Sequence, residues 1–418
     1  MLTIKEGILG CLFAVNINGS NCKNIAKDID SKLFCNNFVE KQISKSYEDY
    51  LSTLNFVLSG GGIIKEGVHY ELKPSEIPMD LFGQKNTTRN LYAFCSIHAE
   101  LNLAVFSFNI DVSGLSTPDV ITLNQAIYGG YKIKTFNKDL GEYDDLLCLM
   151  KAYMDSIKCK FPKRKSIFDY SSNSISKEYS PYVLIEIKEI THSNDDLSLI
   201  CNPTELIKKY SQEFYGIITG DEGYEFVPKQ RCDDLLSENW TTRDFFVTIP
   251  FLMGSLSINL ANSKRHSEYL KLQQNFNESR YREVNKYFNV YKNKIIAGLS
   301  HGVAIMVEEG LVVRRLLDRI LLSKVLETNK DMGITFKTRK KIITTINRIA
   351  SLNIMEIDSL EKLIISKMNI LQDLEKVKYN LDLNQSEIDI KYSRTINAAV
   401  ILFTILQIII AIYTIFLS

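Results

Sequence analysis

The sequence predicts an α+β protein: mixed α/β cytosolic units, then a long antiparallel helical stalk, then one C-terminal transmembrane helix. Three observations carry this expectation. All eight prolines lie at or before Pro250, so the early chain is punctuated like a mixed α/β protein and the later chain is free to be helical. Residues 334–418 contain neither Gly nor Pro, which lets a helix run almost unbroken. Residues 396–417 carry no charge, and as a helix they extend about 33 Å, the thickness of a bilayer's hydrocarbon.

Composition bounds the class. A chain of 418 residues, 45% hydrophobic and 24% charged, has ample core for two or three units and is neither disordered nor collagen-like. The net charge of +1 offers no whole-chain argument for nucleic-acid binding. Charge is segregated, however: residues 1–158 carry −3, residues 159–262 carry −4 and residues 263–418 carry +8. The eight cysteines include no C-x-x-C pair and sit in a chain too large to need disulfide staples, which points to a reducing compartment.

The elements follow in order. Gly7–Val15 is apolar and of signal-peptide length, but Glu6 cancels Lys5, no A-x-A site follows, and Cys11 comes too early for a lipoprotein signal. It reads as a buried first strand. Helices are expected at Ile25–Leu33, Lys41–Leu58 and Tyr143–Ile157, a strand at Leu101–Ile110, and a helix from Pro118 to Ile127 that ends at Gly129-Gly130. These make a first α/β domain, 1–158. The polar, Ser-rich stretch 159–181 reads as a linker. A second α/β unit, 182–262, has a strand at Tyr182–Ile190, a helix at Glu205–Phe214, and a hairpin at Tyr215–Val227 turning on Gly220-Asp221-Glu222-Gly223. The stalk, 263–395, comprises helices over 264–328 and 336–394 around a turn at Asn329–Gly333. Its second helix carries Leu360, Ile364, Met368, Leu371, Leu374, Val377, Leu381 and Ile388 as one apolar stripe, a coiled-coil-like seam. Lys391 and Arg394 flank the span 396–417 on its N-terminal side, so the positive-inside rule leaves residues 1–395 in the cytoplasm. The expectation is a single-pass, tail-anchored membrane protein.

Chemistry is sparse. His69, His98, His192, His266 and His301 are far apart, with no metal-ligand spacing and no H-E-x-x-H, so no metal or cofactor is expected. His98 lies in an apolar segment and reads as a hydrogen-bonded core residue. The run Ser59-Gly60-Gly61-Gly62-Ile63-Ile64-Lys65 matches no phosphate-binding motif. It is a flexible turn or a cradle of backbone N–H groups with Lys65 as counter-charge. Lys337, Arg339, Lys340 and Lys341 form a solvated face or a site for an anionic small ligand, with Lys65 the other candidate ligand-binding residue. Neighbouring carboxylates such as Asp221-Glu222 point apart and make no catalytic pair. In the apolar helix, Asn397, Thr404, Gln407, Ala411 and Thr414 fall on one face, the pattern that helices use to associate in lipid.

The passage from Leu374 through Arg394 into the apolar run from Ile396 resembles the ending of a eukaryotic mitochondrial and sporulation family with one C-terminal span. The whole layout, cytosolic α/β part, helical stalk and C-terminal membrane segment, is similar to that of CorA-like ion-transport proteins, with one span and no G-M-N. What the second resemblance implies is an ion channel.

The functional expectation is a non-enzymatic homo-oligomer whose cytosolic part senses a ligand or partner and couples through the stalk to an oligomeric anchor in the lipid bilayer, a pore or a defence effector. A monomeric membrane-tethered scaffold, the CorA-like channel and an enzyme within residues 1–262 stand as alternatives.

Overall fold

A computed structural model describes residues 1–16, 39–42, 68–98, 103–137, 141–158, 181–194, 197, 202–243, 245–260, 271, 307–308, 310–315, 317–318 and 358–417. The chain divides into two compact units: Met1–Ser166 with Ser171–Leu316 and Ser351–Ile370, and Ile167–Tyr170 with Leu317–Ala350 and Leu371–Ser418.

The first unit is organised by a twelve-stranded mixed sheet. Its strands are β1 (Leu2–Asn16), β2 (Val39–Gln42), β3 (Val68–Pro78), β4 (Thr88–His98), β5 (Leu103–Asp111), β6 (Leu115–Ser116), β7 (Thr135–Asn137), β8 (Gly141–Tyr143), β9 (Tyr182–His192), β10 (Trp240–Arg243), β11 (Phe246–Phe251) and β12 (Gly254–Asn259). The helices are α1 (Thr117–Ile127), α2 (Leu146–Lys158), α3 (Pro203–Lys209), α4 (Ser211–Thr219), α5 (Lys229–Ser237), α6 (Asp358–Lys367) and α7 (Ile370–Leu417). The strand order is β10-β11-β12-β9-β1-β5-β4-β3-β7-β8, with β2 on β3 and β6 on β1.

This order corrects the expected fold class. The strands assigned to two α/β units belong to one sheet, because β9 lies between β12 and β1, and β1 in turn pairs with β5. The reason lies in β1, whose residues are buried on both faces from Gly7 to Val15. A strand apolar on both sides belongs in the middle of a covered sheet, so both its edges need partners and it takes one from each side of 159–181. The β9–β12 pair is parallel, and α3, α4 and α5 lie in the crossover between its strands.

One face of the sheet carries the main core. Leu9, Cys11, Phe13 and Val15 of β1, Phe106 and Phe108 of β5 and Ile185 and Ile187 of β9 share a cluster with Ile121, Met150, Tyr153, Phe214 and Ile217 from the helices. Phe108 meets Phe13 and Tyr153 edge-on, with ring centroids 5.9 and 5.7 Å apart. At the irregularity in β3 between Leu72 and Ser75, the Tyr153 hydroxyl donates to the Lys73 carbonyl at 2.6 Å, and Asn137 Nδ2 donates to Ser75 Oγ at 2.9 Å and to the Tyr153 oxygen at 2.7 Å. The Tyr153 bond satisfies the Lys73 carbonyl at the irregularity, and the Asn137 bonds tie the buried side chains to one another. The expected helix from Pro118 is present as α1, where the Asp119 carboxylate accepts both the backbone N–H and the hydroxyl of Ser116.

Two further expectations are overturned. The hairpin expected at Tyr215–Val227 is absent: α4 runs through Ile217 and Ile218 to Thr219, Gly220 closes it in the left-handed region at φ 70°, and a 3₁₀ turn follows at Tyr224–Phe226. The run Tyr215–Thr219 has strand-like residues, but Phe214, Ile217 and Ile218 recur at helical spacing and are buried. The unbroken helix expected over 336–394 is interrupted at Met368-Asn369. Asn369 adopts φ 59°, a left-handed conformation that Asn tolerates. The front of the expected stripe, Leu360, Ile364 and Met368, is buried in the sheet unit, where α6 packs against β10 and β11. Beyond it Leu371 is exposed and Val377 is buried, and the left-handed Asn369 divides the expected stripe between two helices. No coiled coil and no antiparallel stalk is evident among the described residues; the expected helix 264–328 lies mostly outside them. Helix Ile25–Leu33 also lies outside, and the expected helix Lys41–Leu58 begins instead in β2, with the rest outside.

The expected transmembrane helix is likewise corrected. Among the described residues, no helix is long and apolar enough to cross a membrane. The N-terminal part of α7 is rich in charge, and the continuous stretch of described side chains without charge, Ile396 to Ile405, amounts to about 15 Å of helix against roughly 30 Å of hydrocarbon.

Candidate functional site: a buried carboxyl on the second sheet face

The second face of the sheet is also covered, but it is lined differently. Leu12, Ala14, Val105 and Leu184 are buried there beside Asn109, Glu186, Thr248, Ser255 and Ser257. Strand alternation dictates the placement: the core-facing residues of β9 are Val183, Ile185 and Ile187, so Glu186 points the other way. The ladder sets Glu186 opposite Ser257 on β12 and Ile8 on β1, and sets Ser257 opposite Thr248 on β11.

Glu186 is completely buried, and among the described residues neither carboxyl oxygen has a hydrogen-bond partner. The Ser257 and Thr248 hydroxyls are hydrogen-bonded to each other at 3.0 Å. Two residues on from Ser257, and so on the same face, Asn259 presents a buried Oδ1 that also lacks a donor. Asn109 on β5 presents a third such oxygen, while its amide donates to Ser107 Oγ at 3.4 Å. Burial pushes the Glu186 carboxyl up to about 8, against a smaller opposing pull from Lys188 and with a further push from Glu6. Lys188 and Glu6 are ion-paired with each other at 3.1 Å. At neutral pH this acid holds its proton.

A second buried polar pair lies at the end of β4. His98 Nε2 stands 3.1 Å from Glu308 Oε1, and His98 Nδ1 is buried without a partner. His98 is thus the hydrogen-bonded core residue that its apolar neighbours implied. Burial and the Glu308 charge hold the Cys95 thiol well above its usual range, so it is no nucleophile. Among the described residues no group of three or more His, Cys, Asp and Glu is placed to hold a metal ion.

The residues singled out from sequence are not gathered here. Lys65, Lys337, Arg339, Lys340 and Lys341 lie outside the described residues. Asn397, Thr404 and Gln407 are exposed on α7, where the Thr404 hydroxyl donates to the Val400 carbonyl at 2.8 Å and needs no partner from another helix. Ala411 and Thr414 continue the same helix, with side chains outside the described set. Around them Ile396, Val400, Ile401, Leu402, Phe403 and Ile405 are 47% to 68% exposed. Sequence reasoning missed Glu186; the one available signal was an acid inside the apolar run Tyr182–Ile187 of a strand apolar on both faces.

Comparison with known proteins finds no family that matches this chain, no similar curated protein and no similar solved structure.

Proposed function

We propose that this protein is a lipid-attached binding protein without a catalytic role, whose sheet unit reads a ligand and whose helix α7 provides the attachment. The observation that carries the reading is the apolar collar of α7. With about 100° between successive residues, the exposed side chains Ile396, Val400, Ile401, Leu402, Phe403 and Ile405 surround the helix except for the sector of Asn397 and Thr404. A protein partner asks for a stripe roughly 100° wide, whereas lipid surrounds a helix and asks for apolar residues all round. Water is a poor neighbour for such a collar, at about 25 cal/mol per Å² of apolar surface. Arg394, exposed two residues before it, is placed to meet headgroup phosphates.

The test is flotation of the full-length protein with phosphatidylcholine vesicles, with and without phosphatidylserine. The wild-type chain should float with both, and the double variant Ile401→Lys, Phe403→Lys should stay at the bottom while keeping its thermal unfolding transition. Equal flotation of variant and wild type, or no flotation of the wild type, would sink the reading.

A further inference from the structure

The second sheet face holds more acceptors than donors. Glu186 contributes two unpartnered oxygens, Asn259 one, and the Ser257 and Thr248 hydroxyls two more whose single mutual bond leaves lone pairs unused. Buried polar atoms without partners are rare in native proteins, and those that remain mark a water, an ion or a function. All four side chains stand on one face of three adjacent strands, β9, β12 and β11, fixed by the ladder rather than by loops. The donor set is oxygen alone, the chemistry of hard cations, and contains no nitrogen or sulfur for a transition metal.

From this geometry we infer that Glu186, Asn259, Ser257 and Thr248 form a binding site for one alkali-metal cation of the sodium or potassium type. Charge balance selects the valence. Glu186 supplies one negative charge, and the charged groups that act on it among the described residues, Lys188 and Glu6, are paired with each other. A monovalent ion therefore leaves the buried site neutral, whereas a divalent ion strands a positive charge where desolvation is most costly. The cation displaces the proton that the carboxyl otherwise keeps, the carboxylate and amide oxygens become ligands, and the two hydroxyls complete the shell. Because the site lies within the sheet, the inference stands independently of lipid attachment.

The experiment is thermal unfolding of the full-length protein in sodium, potassium and choline chloride at matched ionic strength and mildly alkaline pH. Choline is too large to enter and serves as the reference. Sodium or potassium should raise the midpoint by a few degrees over choline in a saturable manner, and Glu186→Gln, which keeps the shape and removes the charge, should abolish the difference. Ser257→Ala should weaken the cation dependence and leave the fold in place. Identical midpoints in all three salts, or a cation effect that persists in Glu186→Gln, would overturn the site and leave the acceptors to bound water alone.

Discussion

A carboxyl group sealed inside a sheet must give up water before it ionises, and at Glu186 nothing described replaces that water. The consequence is a definite pH dependence. With a folded-state value near 8 against an ordinary 4.5, the group's contribution to stability is complete below pH 4.5 and is lost as pH rises to 8, where it levels off. The slope in that window is about 1.4 kcal/mol per pH unit for one proton. Urea unfolding in choline salts should show this decline for the wild type, and Glu186→Gln should flatten it and be the more stable protein at pH 8. At Tyr153 the effect runs the other way, because its hydroxyl is hydrogen-bonded to the Lys73 carbonyl, Ser75 and Asn137. Tyr153→Phe leaves those partners buried and short of bonds, which should cost about 1–3 kcal/mol in urea unfolding. Sequence alone signals neither residue strongly: both are polar members of apolar runs, and what gives each its meaning is which atoms surround it.

At the scale of elements, two short features redirect the chain. Gly216 in α4 lies so close to Tyr224 that a Cβ there would stand 2.7 Å from the ring. Alanine in a helix gains about 1 kcal/mol over glycine, but overpacking costs roughly 1–3 kcal/mol. Gly216→Ala should therefore lower the unfolding midpoint, and adding Tyr224→Ala should not restore it, because the Tyr224 Cβ itself stands 2.8 Å from that position. Asn369, between α6 and α7, holds φ 59°. A β-branched residue is strained there, so Asn369→Val should destabilise the protein by about 1–2 kcal/mol, while Asn369→Gly should stay near wild type. The strands β1, β5 and β9 and the helices α1 and α2 were legible because their periodicity and punctuation agree. The hairpin expected at 215–227 misread strand-forming residues whose burial is helical, and the long stripe joined residues on two helices that the left-handed Asn369 separates.

For the whole molecule, the decisive fact is that one sheet gathers strands from both sides of residues 159–181. The linker reading rested on a change in composition, and composition says nothing about which strand edges remain unpaired. The lipid-attachment experiment belongs at this scale too, because removing the apolar collar tests where the protein resides without altering the sheet. By itself the sequence determined the apolar strand β1, the strands and helices with unambiguous period and caps, the division of α7 into a charged beginning and an apolar end, and the lack of any familiar catalytic spacing. These are local properties, set by neighbours within a few residues. Only the tertiary structure decided that the sheet is single, that both its faces are covered, and that Glu186, Asn259, Ser257 and Thr248 share one buried face, since hydrogen-bonded register brings together residues that stand far apart along the chain.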